Sequence, residues 1–476
     1  MSTNKTVAKI KVVPKKTGYL PNIIVLFVVV LFGVIVQKHI SLPQSVIRPI
    51  GVLVMMFIFY SAFYKPLISF LTLIAYLPFS KILVGDFGTQ TTGFNLTNVL
   101  MLIVIIGWFS RTLLQQESFF KKSSLNFPVC AFIMWGILSL IKGYFSYGSV
   151  YFETFIIPLK RWLTPIILYF IVFNMVKDKE TLRKTVITMM LVILIVAFMA
   201  AIDYLDVRYA STIEKARVGG VFEQSNTLGG FFVYNMFLFL GFFFSYFPNF
   251  RYYLMLIPFL VCFRGIMVTF SRGAYIGCAF GMIAAAFFKN KILFAVVIFL
   301  LIFSILNPMI LPPGIRNRME STFFSDKVLT TDIEDLRDPS AQSRIIIWKG
   351  AIEMIKDNPL FGVGYGLFPS VIPSYAPIGN MDAHNTYLIL AAEMGIPALI
   401  LFLIILLIMI KNARWLYKKT KDKFIKAFSL GMLGGLFGLI VVNMFGSRLN
   451  SEEVSAYFWI YAGLIMAAVK IEKRKK

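Results

Sequence analysis

After nineteen mostly polar and basic residues the chain settles into one rhythm: an apolar run, a short polar or basic break, then another apolar run. The runs lie near residues 20–36, 48–63, 67–84, 96–110, 126–142, 158–175, 185–202, 227–247, 253–270, 274–288, 292–307, 385–410, 424–443 and 454–469. At roughly 16–25 residues each they can cross a bilayer as helices, and within lipid a helix satisfies its own backbone polar groups. The pattern predicts an all-α polytopic membrane protein of about fourteen transmembrane helices. One interval breaks the rhythm. From about Pro308 to Ala383 the chain is polar, and so long a connection among short ones is either functional or disordered. The chain then divides into an N-terminal bundle with a basic tail (1–202), a central region containing the outer loop 308–383 (203–410), and C-terminal helices with a basic tail (411–476).

Composition agrees with this reading. Hydrophobic residues make up 58% of the chain and charged residues 15%, against about 25% charged in soluble domains. The net charge of +24 raises nucleic acid as a partner, but the placement of the charge argues against it. With the N-terminus in the cytoplasm, the alternate breaks are the basic ones, among them "RTLLQQESFFKK", "VKDKETLRK", "KNARWLYKKTKDK" and the tail "KIEKRKK". Inner segments hold about 27 of the 47 Lys and Arg although they are the shorter ones. This positive-inside pattern makes both termini cytoplasmic and puts the long loop on the outer face. Lys38, His39 and Arg48 run against it at the first outer connection. The first run lacks a small-residue cleavage site and reads as an uncleaved signal anchor. Cys130, Cys262 and Cys278 sit in apolar runs without CxxC spacing and read as small core residues. With His39 and His384 the only histidines, a multi-histidine metal centre is excluded, and no metal or cofactor is expected.

The long loop carries signs of order. "DPSAQSRIIIWKGAIEMIKDNP" starts a helix at Asp338-Pro339 and stops it at Asn358-Pro359. Ile345, Trp348, Ile352 and Ile355 recur at helical spacing, predicting an amphipathic helix with that face against the bundle or the membrane surface and Arg344 on its flank. Next comes "PLFGVGYGLF", whose Gly362, Gly364 and Gly366 match a dinucleotide-binding loop only loosely and without the strand such a fold requires. They form either a tight turn or a backbone passing close to a ligand.

Arginine on the outer side runs against the topological bias. Arg217, Arg272 and Arg344 form one set, with Arg161, Arg316, Arg318 and Arg448 less firmly placed. Each either snorkels to lipid head groups or binds phosphate oxygens through its planar fork. The corner "FSRGAY" leaves Arg272 little solvent to reach. His384 opens the apolar run "AHNTYLILAAEMGIP", and it is either a hydrogen-bonded capping residue or a neutral base at a helix N-terminus, where the dipole disfavours imidazolium and favours an anion. Glu393, nine residues on, falls on the opposite helix face and reads as a contact to a neighbouring helix. The GxxxG spacings Gly277–Gly281, Gly431–Gly435 and Gly434–Gly438 read as helix-packing faces.

Taken together, "RVGGVFEQSNTLGGF", "FSRGAYIG", "SRIIIWKGAIEMIKDNPLFGVGYGLF" and "AHNTYLILAAEMGIPALILFL" resemble the signature of the O-antigen ligase and Wzy polymerase superfamily, over about residues 215–410. The resemblance implies a bacterial inner-membrane glycosyltransferase that is metal-independent and inverting. It would take a glycan from undecaprenyl diphosphate on the outer face and pass it to a glycan, lipid or protein acceptor, with membrane lipids as its surroundings. By resemblance His384 is the essential histidine, Arg217 and Arg272 engage the diphosphate, and Arg344 matches an arginine upstream of the Gly-rich loop. Gly362, Gly364, Gly366 and Asn385 would line the substrate. An O-antigen or exopolysaccharide polymerase is the first expectation and a ligase onto lipid A-core or protein the second. A flippase for the lipid-linked sugar is the rival from another class; it would favour internal repeats, which are not evident, and would employ Arg264 inside a span.

Overall fold

The computed structural model describes residues 56, 58–83, 96–116, 118, 121–212, 214–310, 316 and 339–474, and among them no strand occurs. Fifteen helices carry the architecture. They are α1 (Pro66–Tyr76), α2 (Leu96–Leu114), α3 (Asn126–Tyr147), α4 (Ser149–Met175), α5 (Lys179–Val207), α6 (Ser225–Asn235), α7 (Phe237–Tyr246), α8 (Leu256–Val268), α9 (Arg272–Lys289), α10 (Lys291–Leu306), α11 (Pro339–Asp357), α12 (Thr386–Met394), α13 (Ile396–Lys419), α14 (Lys423–Val442) and α15 (Glu452–Lys473). Among the described residues nine helices are long and apolar enough to cross a membrane, with Pro66–Ile82 and Lys291–Leu306 as shorter apolar helices. Helices stand at every sequence-read span from 67–84 onward. The run 20–36 and most of 48–63 lie outside the described residues, as do His39 and Arg318.

Three spans differ from the expectation, and one of them, 227–247, is divided at Met236 into α6 and α7. The run 385–410 is not one helix but two, α12 and α13, because the chain turns at Gly395 with φ +86°. A β-carbon at Gly395 would sit 2.0 Å from the Leu360 carbonyl oxygen, so the position requires glycine, and Pro397 then starts α13. The run at 158–175 extends back to Ser149.

α14 is the packing hub, lying against α6, α7, α9 and α13. Its glycines make this possible. A β-carbon on Gly277 of α9 would approach the Gly438 carbonyl oxygen to 3.0 Å, and one on Gly281 that of Gly434 to 2.9 Å. On another side a β-carbon added at Gly431 would lie 2.7 Å from Leu238 Cα, and one at Gly435 would lie 2.2 Å from the Tyr234 carbonyl oxygen. The GxxxG spacings are thus close-packing faces, as their sequence suggested. α15 is the most enclosed span, with every residue from Glu453 to Val469 buried. In α10, by contrast, only Val297 is buried, so that helix lies at the edge of the bundle.

The second half of the long loop is ordered and has its own core. Ile347, Ala351 and Met354 of α11 pack with Val363, Phe368, Ile372 and Ala376, and with Leu140 and Tyr151 of α3 and α4. α11 runs from Pro339 to Asp357, as its proline signals predict, but a different face is buried. Ile345 is 54% exposed and Ile352 46%, whereas Ile347, Ala351 and Met354 are fully buried. The contact is chosen by closeness rather than by bulk: Gly350 lies on the buried side, where an added β-carbon would come 2.9 Å from the Ala376 methyl. Cys262 and Cys278 are buried as expected, but Cys130 is exposed on α3.

Candidate active site at the start of α12

α12 is held in place from both flanks. Asn385 is its N-cap, its Oδ1 accepting from the backbone N–H of Tyr387 (3.0 Å) and Leu388 (3.2 Å). Thr386 donates its N–H to the Asn443 carbonyl (2.9 Å) and its hydroxyl to Asn443 Oδ1 (2.7 Å). The Tyr387 hydroxyl donates to the Ile440 carbonyl at 2.9 Å. The turn that follows α14, residues 443–448, is therefore clamped onto the first turn of α12.

His384 sits immediately before this cap, half-buried, in the left-handed region at φ +49°. Histidine tolerates that region better than most residues, but a side chain there costs about 1–2 kcal/mol. Its backbone N–H donates to Asp382 Oδ1 (3.0 Å), which also accepts from the Ser447 hydroxyl (3.0 Å). From the other side the Trp348 indole N–H donates to the Ala383 carbonyl at 2.8 Å. Burial lowers the pKa of the imidazole below its ordinary value; the Asp382 carboxylate opposes this, and the positive charges of Arg344 and Arg448 add to it. The ring is neutral at pH 7 and able to accept a proton.

Three arginines from distant parts of the sequence converge here. Arg344 is four residues before Trp348, so both lie on the side of α11 that faces His384, and Arg344 is half-buried. Arg448, in the turn after α14, is only 7% exposed, and burial lowers its pKa to about 10 with further depression from Arg344 and Arg217 and opposition from Asp382. Arg217 spends its fork on protein partners: Nε donates to the Thr269 carbonyl (3.0 Å), Nη1 to Glu214 (3.0 Å) and Nη2 to Asn226 Oδ1 (2.8 Å). Arg272 opens α9 three residues beyond Thr269, so it shares the corner that holds Arg217, and the neighbouring Gly273 packs on Phe445 of the clamping turn.

The glycine loop lies elsewhere. Gly362, Gly364 and Gly366 all have positive φ (+65°, +124°, +82°), and the loop packs on the C-terminal end of α12. Val363 N–H donates to the Ala392 carbonyl (2.8 Å) and Gly364 N–H to that of Glu393 (3.1 Å). Lys142 reaches the Gly362 carbonyl at 2.7 Å, and Glu393 Oε1 accepts from Phe368 N–H at 3.1 Å. Over the nine residues of α12 this end is about 13 Å from His384. Glu393 thus holds the loop with its carboxyl, and it also meets a neighbouring helix as expected, its carbonyl accepting from the Ser139 hydroxyl of α3 at 2.7 Å. Asn385 is committed to its cap.

Arg161 lies 3.9 Å from Glu452 and Arg316 donates to Met309 Sδ, so neither joins the cluster. Arg264 is exposed, its guanidinium over the Tyr204 ring, and provides no buried charge within a span. Among the described residues no group of three or more His, Cys, Asp or Glu is arranged to hold a metal. Asp382 and Ser447 escaped the sequence reading altogether, and Arg448 was visible in it only among the less firmly placed outer arginines.

No curated protein matches the chain. A family model described as O-antigen ligase matches residues 257–403, a stretch that runs from α8 through His384 into α13. That stretch, under a third of this integral membrane protein, is similar to the O-antigen ligase family.

Proposed function

We propose that the protein transfers a glycan from undecaprenyl diphosphate to an acceptor hydroxyl on the outer face of the cytoplasmic membrane. The observation that carries the reading is the meeting of a neutral, half-buried His384 with arginines on one surface. The acceptor oxygen attacks the anomeric carbon, the bond from that carbon to the diphosphate oxygen breaks, and the electron pair leaves with the diphosphate. Arg272 and Arg344 stabilise the charge that builds on the departing oxygens, and Arg217, its fork held by Thr269, Glu214 and Asn226, adds its positive charge to the same surface. His384 orients the acceptor and takes its proton, a contribution on the order of 10²–10⁴-fold. A diphosphate leaves readily, so a neutral imidazole is base enough, and a single displacement inverts the anomeric centre.

Two acceptors fit. A polymerase extends a second lipid-linked glycan, and the long outer loop gives room for one. A ligase passes the chain to lipid A-core or protein, and the description of the matching family model favours it. The test is reconstitution with an undecaprenyl diphosphate-linked repeat unit, wild type beside His384→Ala. A ladder of growing chains from wild type alone supports the polymerase; a single adduct on an added acceptor supports the ligase. Equal turnover by a folded His384→Ala protein overturns the role given to His384.

A further inference from the structure

Among the arginines around His384, Arg448 is the most deeply enclosed and has hydrogen-bonding capacity left over. Its guanidinium is enclosed, yet Nε is buried without an acceptor, and the one hydrogen bond it makes among the described residues is a long one, Nη2 to the Phe445 carbonyl at 3.4 Å. No carboxylate among the described residues forms an ion pair with it. A guanidinium taken out of water without a counter-charge is costly, and two further arginines nearby raise that cost. The stem does not explain it. Its methylenes pack on Gly230, where an added β-carbon would meet Cγ at 3.1 Å, and an apolar side chain would fill that space as well. The contrast with Arg217 is direct, since all three nitrogens of that fork already have protein acceptors.

We infer that Arg448 is a phosphate-binding residue of the donor site, presenting its unused fork to the diphosphate of the lipid carrier beside Arg344 and His384. This rests on the transferase reading above and adds to it a residue from beyond the segment matched by the family model. The turn Asn443–Arg448 then has two tasks: it clamps α12 through Asn443, and it carries the cation.

The experiment is a binding titration of the purified full-length protein in detergent with farnesyl diphosphate, beside inorganic phosphate and phosphatidylglycerol micelles. Two variants are compared with wild type. Arg448→Met keeps the stem and removes the fork. Gly446→Ala keeps the charge but displaces it, because the new β-carbon would lie 2.1 Å from Nη2, the far end of a flexible side chain. Loss of a charge-assisted contact weakens farnesyl diphosphate binding by about 10- to 100-fold, and both variants are expected to show it. Wild-type affinity retained in Gly446→Ala and in a folded Arg448→Met overturns the inference while leaving the donor-site reading intact. If Arg448→Met does not fold, Gly446→Ala decides alone. Failure of wild type to bind farnesyl diphosphate overturns both. Equal competition by phosphatidylglycerol assigns Arg448 to a lipid head group and overturns it as well.

Discussion

The two ends of α12 use the same backbone device for opposite purposes. Both are flanked by left-handed residues, His384 at one end and Gly362, Gly364, Gly366 and Gly395 at the other. At the glycine end the strain disappears, since glycine adopts positive φ freely and the reward is close packing and matched hydrogen bonds. Glu393, Lys142 and the loop amides all have partners there. At the histidine end the strain is kept, in a residue whose backbone N–H donates to Asp382 and whose preceding carbonyl, that of Ala383, accepts from Trp348. Nearby, Arg448 is buried and under-bonded. On the proposed function, one end is built to be stable and the other to meet a ligand, and the strain kept at the second accords with that proposal.

Substitutions separate the two ends. The largest effect is expected from His384→Ala, which lowers transfer by about 10²–10⁴-fold in the reconstituted assay with little change in thermal midpoint. Gly395→Ala does the reverse. It is expected to cost about 1–3 kcal/mol in overpacking against Leu360 and about 1–2 kcal/mol more for the left-handed backbone, read as a lowered melting temperature or loss of folded protein. His384→Gly sharpens the contrast: it lowers transfer as His384→Ala does yet raises stability by about 1 kcal/mol, because the strain is released. If it destabilises instead, the strained backbone is not what the histidine imposes.

Titration separates the ends more gently. Burial pushes the Glu393 carboxyl up to about 7, so the folded state binds this proton more tightly than the unfolded chain. Its contribution to stability is full below the unfolded value and is lost as pH rises toward and through 7; Glu393→Gln is expected to flatten thermal stability across that window. For His384 the sign is opposite. Its lowered pKa keeps transfer constant around neutrality, with the acid limb of the rate profile falling below the ordinary histidine value of about 6.5. Arg448→Met removes a charge that depresses this pKa, so in whatever activity remains the acid limb moves toward higher pH, the smallest of these effects.

Local chemistry made much of this legible in the sequence, and long-range chemistry did not. The ends of α11 follow from Pro339 and Asn358-Pro359, and the α9–α14 contact from glycine spacing alone. The buried face of α11 was misread because Ile345 and Ile352 are the bulkier residues, whereas the packing surface is chosen by Gly350 and Ala351, which let the backbone come close. Gly395 read as the interior of one span, since its role depends on Leu360 across the loop. Asp382 and Ser447 are 65 residues apart and carry no spacing that announces their contact. His384 was visible through its rarity, and the arginines through standing on the side where topology disfavours them.

The glycine contact between α9 and α14 has a mechanical consequence. Carbonyls of α14 lie close to the glycines of α9, with only the Val442, Val233 and Phe237 side chains filling the flanks, so the spacing of the two helices has little soft freedom. Arg272 begins one of these rods, and the turn carrying Arg448 follows the end of the other. Their separation is therefore gauged by main-chain thickness, like the jaws of a locked caliper. Changes in lipid or temperature that loosen ordinary apolar packing leave that gauge nearly unaltered.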